Sequence, residues 1–340
     1  MISIECFKGL PVEYESFLIE KYGSYIATCR YIEIYYATYD VNHMLVYNNG
    51  NLTELLVFGN KGNTCICFNS LANLDKDIVP EFIKEIFEKY PVIKRIKIDA
   101  SYQRYILKKS VLFFKSANHI LNLPSTMDDY YLKLGSSTRQ NVKNRKIRLL
   151  RDYPEVNFIT KYGDEIDEVI IDKIIQMNII KMKQMGKISG IDTTYRNNLF
   201  KYSQHYGCVA YIEVNGEIVA GSINTVINKG IFGHVTAYDT DFSKYNVGEI
   251  CAFYLIQTSI EKGLTTFNFL WGESDLKRRL MAKPHLLFSY FVFRAYTFDY
   301  IFFKTHVFFS NVIISFKHSK YSKPLRNAIQ FYRRKKLQNN

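Results

Sequence analysis

No stretch of this sequence runs to about 18 uninterrupted apolar residues, the length that a membrane-spanning helix needs. The most apolar region, 286–316, is broken by Arg294, Asp299, Lys304 and His306. The N-terminal residues lack a basic segment followed by a long apolar one, so no signal peptide is expected. Metal-ligand spacing is missing as well. Of the six cysteines only Cys65 and Cys67 lie close together, in an alternating apolar run that places both on one side of a strand. No second pair stands at zinc spacing, so no metal is expected. Scattered cysteines without a disulfide framework suit a reducing cytosol, and a cytoplasmic protein is the expectation.

Acidic residues are scarce in one place only. Residues 276–340 hold 14 Lys and Arg against the single acid Asp299, whereas the first 275 residues balance 31 basic against 31 acidic side chains. The net charge of +13 is therefore local. It fits an anionic ligand, an anionic membrane face or plain solubility better than a chain built throughout for nucleic acid, and no specific nucleic acid is expected.

What is abundant is apolar and aromatic. Hydrophobic residues make up 47% and aromatics 16%, with 27 Tyr and 25 Phe, which excludes a disordered chain. At 340 residues two domains are expected. In the first half, strands are read at 2–7, 31–39, 43–47, 52–58, 64–68, 93–99 and 111–121, with helices at 12–21 and 78–89. The middle is helical at 127–133 and 137–151, with Ser136 expected to cap the second. After Pro154 the order becomes regular: strand 156–161, helices 165–185 and 195–205, strands 209–214, 218–228 and 231–239, helix 248–262, strand 266–270, helix 275–281, strand 286–295. Asn215-Gly216 marks a two-residue hairpin turn. A basic amphipathic helix is read at 325–337.

Four segments carry a resemblance. They are LGSSTRQNVKNRKIRLL (134–150), EIVAGSIN (217–224), YDTDFSKYNVGE (238–249) and FNFLWGESDLKRR (267–279). In this order and spacing, over roughly 130–295, the chain resembles GNAT acyltransferases of the CelD/BcsL type, which are related to the FemAB transferases. Asn268 stands where that pattern often has Asp, and Leu276 where it often has Tyr.

The resemblance implies an α/β (α+β) chain, a two-domain tandem GNAT-like fold with a mixed, mostly antiparallel central sheet flanked by helices. Its divisions would be a degenerate GNAT-like domain (1–125), a basic helical connector (126–153), the acyltransferase domain (154–320) and a basic C-terminal helix (321–340). The first would supply one wall of the acceptor cleft. The implied activity is transfer from acyl-CoA to the amino group of a nucleotide-linked amino sugar in bacterial surface-polysaccharide synthesis. The protein would act as a monomer or dimer, with its basic tail near the cytoplasmic membrane face.

The chemistry can be assigned to residues. A helix start leaves unpaired N–H groups and the positive end of a dipole, which suit phosphate oxygens. The resemblance seats coenzyme A at Ala237, Tyr245, Asn246, Val247, Gly248 and Glu249, with the Glu249 carboxylate expected to point away from the phosphates. Lys277, Arg278 and Arg279 would add cationic contacts. Transfer to an amine needs a base and a donor for the leaving thiolate. Glu273 and His234 rank first and second as base, Asp239 is a further candidate, and Tyr238 or Tyr245 could protonate the thiolate. On alternation His234, Thr236 and Tyr238 share one strand face. Trp271 could stack on a sugar or base. Arg139, Lys143, Arg145 and Arg148 could meet acceptor phosphates. Two other readings remain open: a FemAB-type transferase taking its donor from aminoacyl-tRNA, and a non-enzymatic basic module for membrane or nucleic acid.

Overall fold

The computed structural model describes residues 2–296 and 298–318. In chain order the elements are β1 (Ile2–Lys8), α1 (Glu15–Tyr22), α2 (Cys29–Tyr35), β2 (Asp40–Asn48), β3 (Asn51–Lys61), β4 (Thr64–Cys67), α3 (Ile78–Lys89), β5 (Arg95–Ser101) and β6 (Ser110–Asn122). There follow α4 (Met127–Lys133), α5 (Ser136–Asp152), β7 (Val156–Tyr162), α6 (Glu168–Gln184), α7 (Thr193–Tyr206), β8 (Gly207–Val214), β9 (Glu217–Ile227) and β10 (Gly230–Tyr238). The last are α8 (Val247–Glu261), β11 (Thr266–Asn268), α9 (Asp275–Arg279), β12 (Lys283–Phe293) and α10 (Phe298–His318). The helix read at 325–337 lies outside the described residues.

The chain divides into two compact units. One comprises residues up to Ser116 together with the described residues from Leu286 on; the other runs from Ala117 to His285. In the first, the strands follow the order β1-β2-β3-β4-β5-β12. All neighbours are antiparallel except β4 and β5. In the second the order β7-β8-β9-β10-β11-β6 has the same pattern, and β10 and β11 are its parallel pair. In each unit one helix, α3 or α8, makes the crossover that a parallel pair requires. Two units of one topology in tandem, each a mostly antiparallel sheet flanked by helices, are the expected fold class.

One element differs in kind from the sequence reading. The Tyr- and Ile-rich stretch read as a strand at 31–39 forms helix α2 instead. Thr28 caps it, its hydroxyl accepting from the Tyr31 N–H at 3.2 Å. Tyr31 and Tyr35 stack one turn apart with ring centres 4.2 Å apart. A cap and an i,i+4 ring pair outweigh the weak strand preference of β-branched and aromatic residues. Helix α5 starts with Gly135, not Ser136, at its cap position. The Asn215-Gly216 turn has both residues at positive φ, as a type I′ hairpin demands. Cys65 and Cys67 are both buried, and all six cysteines are free thiols.

The crossover helix of the second unit decides where a ligand can go. Most of α8, including Val247, Ile250, Cys251, Leu255 and Ile256, is buried, so this helix is apolar nearly all round. On the other side of the sheet α6 buries Ile170, Ile171 and Ile174 with Val209, Ile223 and Ala237. Gly207 lets α7 pass closely into β8, since a Cβ there would lie 2.4 Å from the Ser203 carbonyl oxygen.

Candidate active site

The parallel pairing of β10 with β11 is short. It spans Gly230–Phe232 against Thr266–Asn268 and then stops, while β10 runs on to Tyr238 with β9 as its partner strand. A bulge between Gly233 and Val235 turns the strand at the point of divergence. A cavity of about 410 Å³ opens in the resulting fork. His234, Thr236 and Tyr238 line it from β10, Ser222 and Asn224 from β9, Gly248 and Glu249 from α8, and Lys277 and Arg279 from α9.

A polar network forms the β9 wall. The Ser222 hydroxyl donates to the Asn224 side-chain oxygen at 3.0 Å and lies 3.1 Å from the Thr236 hydroxyl. The Asn224 amide donates to the Cys208 carbonyl at 3.0 Å. His234 Nε2 is 2.8 Å from the Thr225 hydroxyl, and burial pushes its imidazole down to about 4. The ring is therefore neutral at neutral pH.

The α8 end is built around a carboxylate. Asn246 adopts the left-handed conformation, φ +54, and starts the helix. Its side-chain amide donates to Glu249 Oε2 at 2.6 Å. Glu249 is almost wholly buried and receives two arginines, Arg145 from α5 and Arg279 from α9, the latter at 3.0 Å. Glu249 is among the residues that line the cavity, its side chain is 2% exposed, and the two arginines are what make that burial tolerable. Gly248 has no room for a side chain, because an added Cβ would sit 2.8 Å from Tyr238 Cδ1. The Lys181 ammonium rests over the other part of this assembly, 4.3 Å from the centre of the Tyr238 ring, and burial lowers its pKa.

Lys277 has a structural task. Its ammonium lies 2.7–3.2 Å from the carbonyl oxygens of Phe269, Leu270, Trp271 and Gly272, its three N–H groups shared among them. These tie down a loop in which Leu270 and Gly272 hold positive φ. Burial lowers the Lys277 pKa to about 8.

The remaining sequence candidates fall elsewhere. Glu273 and Trp271 are exposed and do not line the cavity; the charge of Glu273 is felt by His119. Asp239 accepts from the Asp241 N–H at 3.0 Å and caps the turn after β10. Ala237 and Val247 point into the core. Tyr245 is buried and donates to Asp152 at 2.8 Å. Arg278 pairs with Asp275 in solvent. Arg148 donates to the Lys244 carbonyl and lies over the Tyr245 ring. Arg139 and Lys143 line a separate groove on α5. Sequence reasoning missed Lys181, Ser222 and Asn224. Among the described residues no group of acids, histidines and cysteines could hold a metal.

The comparisons with known proteins agree with this geometry. Residues 136–278 match the family profile described as an acetyltransferase (GNAT) domain. No curated protein sequence matches the chain. Among solved structures, FemX is similar with a TM-score of 0.61 and 10% identity, over 85% of this chain and 97% of that one. L-PGS from Bacillus licheniformis gives a TM-score of 0.54 at 13% identity, over 89% and 97%. A tandem GNAT protein from the clavulanic acid biosynthesis pathway gives 0.50 at 7%, over 87% and 100%. At such identities these likenesses speak for the fold alone. The profile match over α5 to α9 shows a GNAT acetyltransferase domain, the mark of an acyltransferase, and the solved structures share its fold.

Proposed function

We propose that the chain is an acyl-CoA-dependent N-acyltransferase whose acceptor is the amino group of a nucleotide-linked amino sugar used in surface-polysaccharide assembly. The observation that carries the donor half is the fork between β10 and β11. A strand edge that has lost its parallel neighbour suits the two amides of a pantetheine arm, which can add to it as a short strand. The polar lining is cationic in sum, with Lys181, Lys277 and Arg279, aided by Arg145, set against the single carboxylate of Glu249. This balance fits the phosphates of a donor or of a nucleotide-linked acceptor.

In this reading the neutral amine attacks the thioester carbonyl carbon directly. The carbon–sulfur bond breaks as the amide forms, the nitrogen loses a proton and the thiolate gains one. His234, neutral and held by Thr225, orients a water that takes the amine proton. Tyr238, in the cavity wall, is the donor to the thiolate. The choice of an amino sugar rests on the resemblance of the four segments named above.

A second reading has one observation in its favour. The first turn of α8 already holds a carboxylate, Glu249, where a diphosphate would otherwise lie. A donor without a diphosphate at that turn, such as an aminoacyl-tRNA, avoids this repulsion. Thiol release from acetyl-CoA, followed across a panel of nucleotide-linked amino sugars, separates the two. Release that depends on the amino sugar supports the proposal. Transfer from aminoacyl-tRNA that ribonuclease abolishes, with no thiol release, supports the alternative.

A further inference from the structure

Helix α5 carries six basic side chains and one acid, Asp152, and its basic residues divide between two faces. Arg145 is committed to Glu249, and Arg148 to the Lys244 carbonyl and the Tyr245 ring. Arg139, Lys143 and Lys146 recur at i, i+4 and i+7 on a different face. Among the described residues none of these three has an acidic partner within ion-pair distance; Lys146 lies over the Phe158 ring at 4.7 Å. They line a groove of about 700 Å³ that contains no acid. Its apolar part is also open to solvent: Ile147 is 54%, Leu150 41% and Tyr131 37% exposed.

We propose that this groove docks the protein on an anionic phospholipid bilayer. Arg139, Lys143 and Lys146 meet headgroup phosphates, and Ile147, Leu150 and Tyr131 enter the boundary between headgroups and acyl chains. An interfacial helix sets its cations on a polar face beside an apolar one; here the two share a face, so the cations reach the phosphates by their long stems. Lysine and arginine stems lie along the apolar surface while their charges stay at the phosphate level. The apolar residues decide between polyanions. A nucleic-acid backbone would satisfy the cations but leave Ile147 and Leu150 in water, and a small soluble anion would leave the groove unfilled. This inference stands apart from the acyl-transfer reading, since the groove shares no lining residue with the cavity.

The test is flotation of the full-length chain with vesicles of phosphatidylcholine alone and of an equal mixture with phosphatidylglycerol. Two double variants are compared with the wild type: Lys143→Glu with Lys146→Glu, and the charge-neutral Ile147→Ser with Leu150→Ser. All four positions are exposed, so each protein should keep its Tm. The wild type should bind the mixed vesicles and not phosphatidylcholine alone. The lysine pair should lose about tenfold or more in affinity, on the scale of roughly fivefold for each charge removed. The apolar pair should lose severalfold with no change in salt dependence. Wild-type binding in both variants would overturn the proposal, because the attachment would then lie elsewhere, as in the basic tail. Loss in the lysine pair alone, matched by loss of binding to a single-stranded RNA probe, would overturn it in favour of a nucleic-acid surface.

Discussion

The ring of Tyr238 occupies the space that any side chain at position 248 would need, with Cδ1 only 2.8 Å from where a Cβ on Gly248 would stand. The strand that lines the cavity and the helix that closes it are therefore fitted to each other through one glycine. Gly248→Ala should displace the Tyr238 ring, costing about 1–3 kcal/mol as an overpacked contact. Urea denaturation measures that cost, and thiol-release kinetics should show a fall in kcat/KM. Tyr238→Phe keeps the ring and removes the hydroxyl, so it should keep stability and lower kcat if that hydroxyl protonates the thiolate.

Glu249 supplies the second prediction. Removing one partner of a buried ion pair strands the other charge, which costs about 3–5 kcal/mol. Glu249→Gln leaves two arginines that are 29% and 40% exposed and that water can screen, so its loss by urea denaturation should fall below this range. Arg145→Ala leaves the buried Glu249 carboxylate with Arg279 alone and should also be destabilising by this measurement. The double variant should lose less than the sum of the two single losses, because the two residues share one interaction.

The pH dependence follows from His234. Its folded pKa is lowered to about 4 from an ordinary value near 6.5. Between these values the unfolded chain binds the proton and the folded chain does not, so stability falls as the pH drops from about 6.5 to 4. His234→Gln, measured by Tm against pH, should flatten that part of the profile. In the wild type kcat should show no inflection near 6.5 from this ring.

Much of this was legible in the sequence. From residue 126 to 295 each element was anticipated, because amphipathic periods and turn residues there agree with the tertiary fold. Helix α2 was not, since its composition favours a strand and its Thr28 cap lies outside the Tyr-rich run. In the site, the turn leading into α8 could be found from Gly248, but neighbours along a turn point in different directions. Gly248 and Glu249 face the cavity, while Tyr245 and Val247 fill the core. Lys181 gave no signal, as a lysine near the end of a helix is ordinarily a solvated charge. Ser222 and Asn224 read as plain strand residues until β9 is paired with β10.

Lys277 lines the cavity and also holds a loop, and the second role is directly testable. Four carbonyl acceptors hold its ammonium, so Lys277→Met should release the loop at Leu270–Gly272. The expected loss is about 1.5–3 kcal/mol, the range for hydrogen bonds to a charged group. Hydrogen exchange at residues 269–272 should rise more than in the rest of the second unit.

The central claim is that the fork between β10 and β11 receives an acyl-CoA donor closed off by the start of α8. Calorimetric titration of the protein with coenzyme A and acetyl-CoA, beside a Gly248→Asp variant, tests it most directly. The account predicts micromolar binding in the wild type and loss of binding in the variant, which displaces Tyr238 and adds a second carboxylate beside Glu249. No binding by the wild type at millimolar ligand, or equal binding by both proteins, would contradict it.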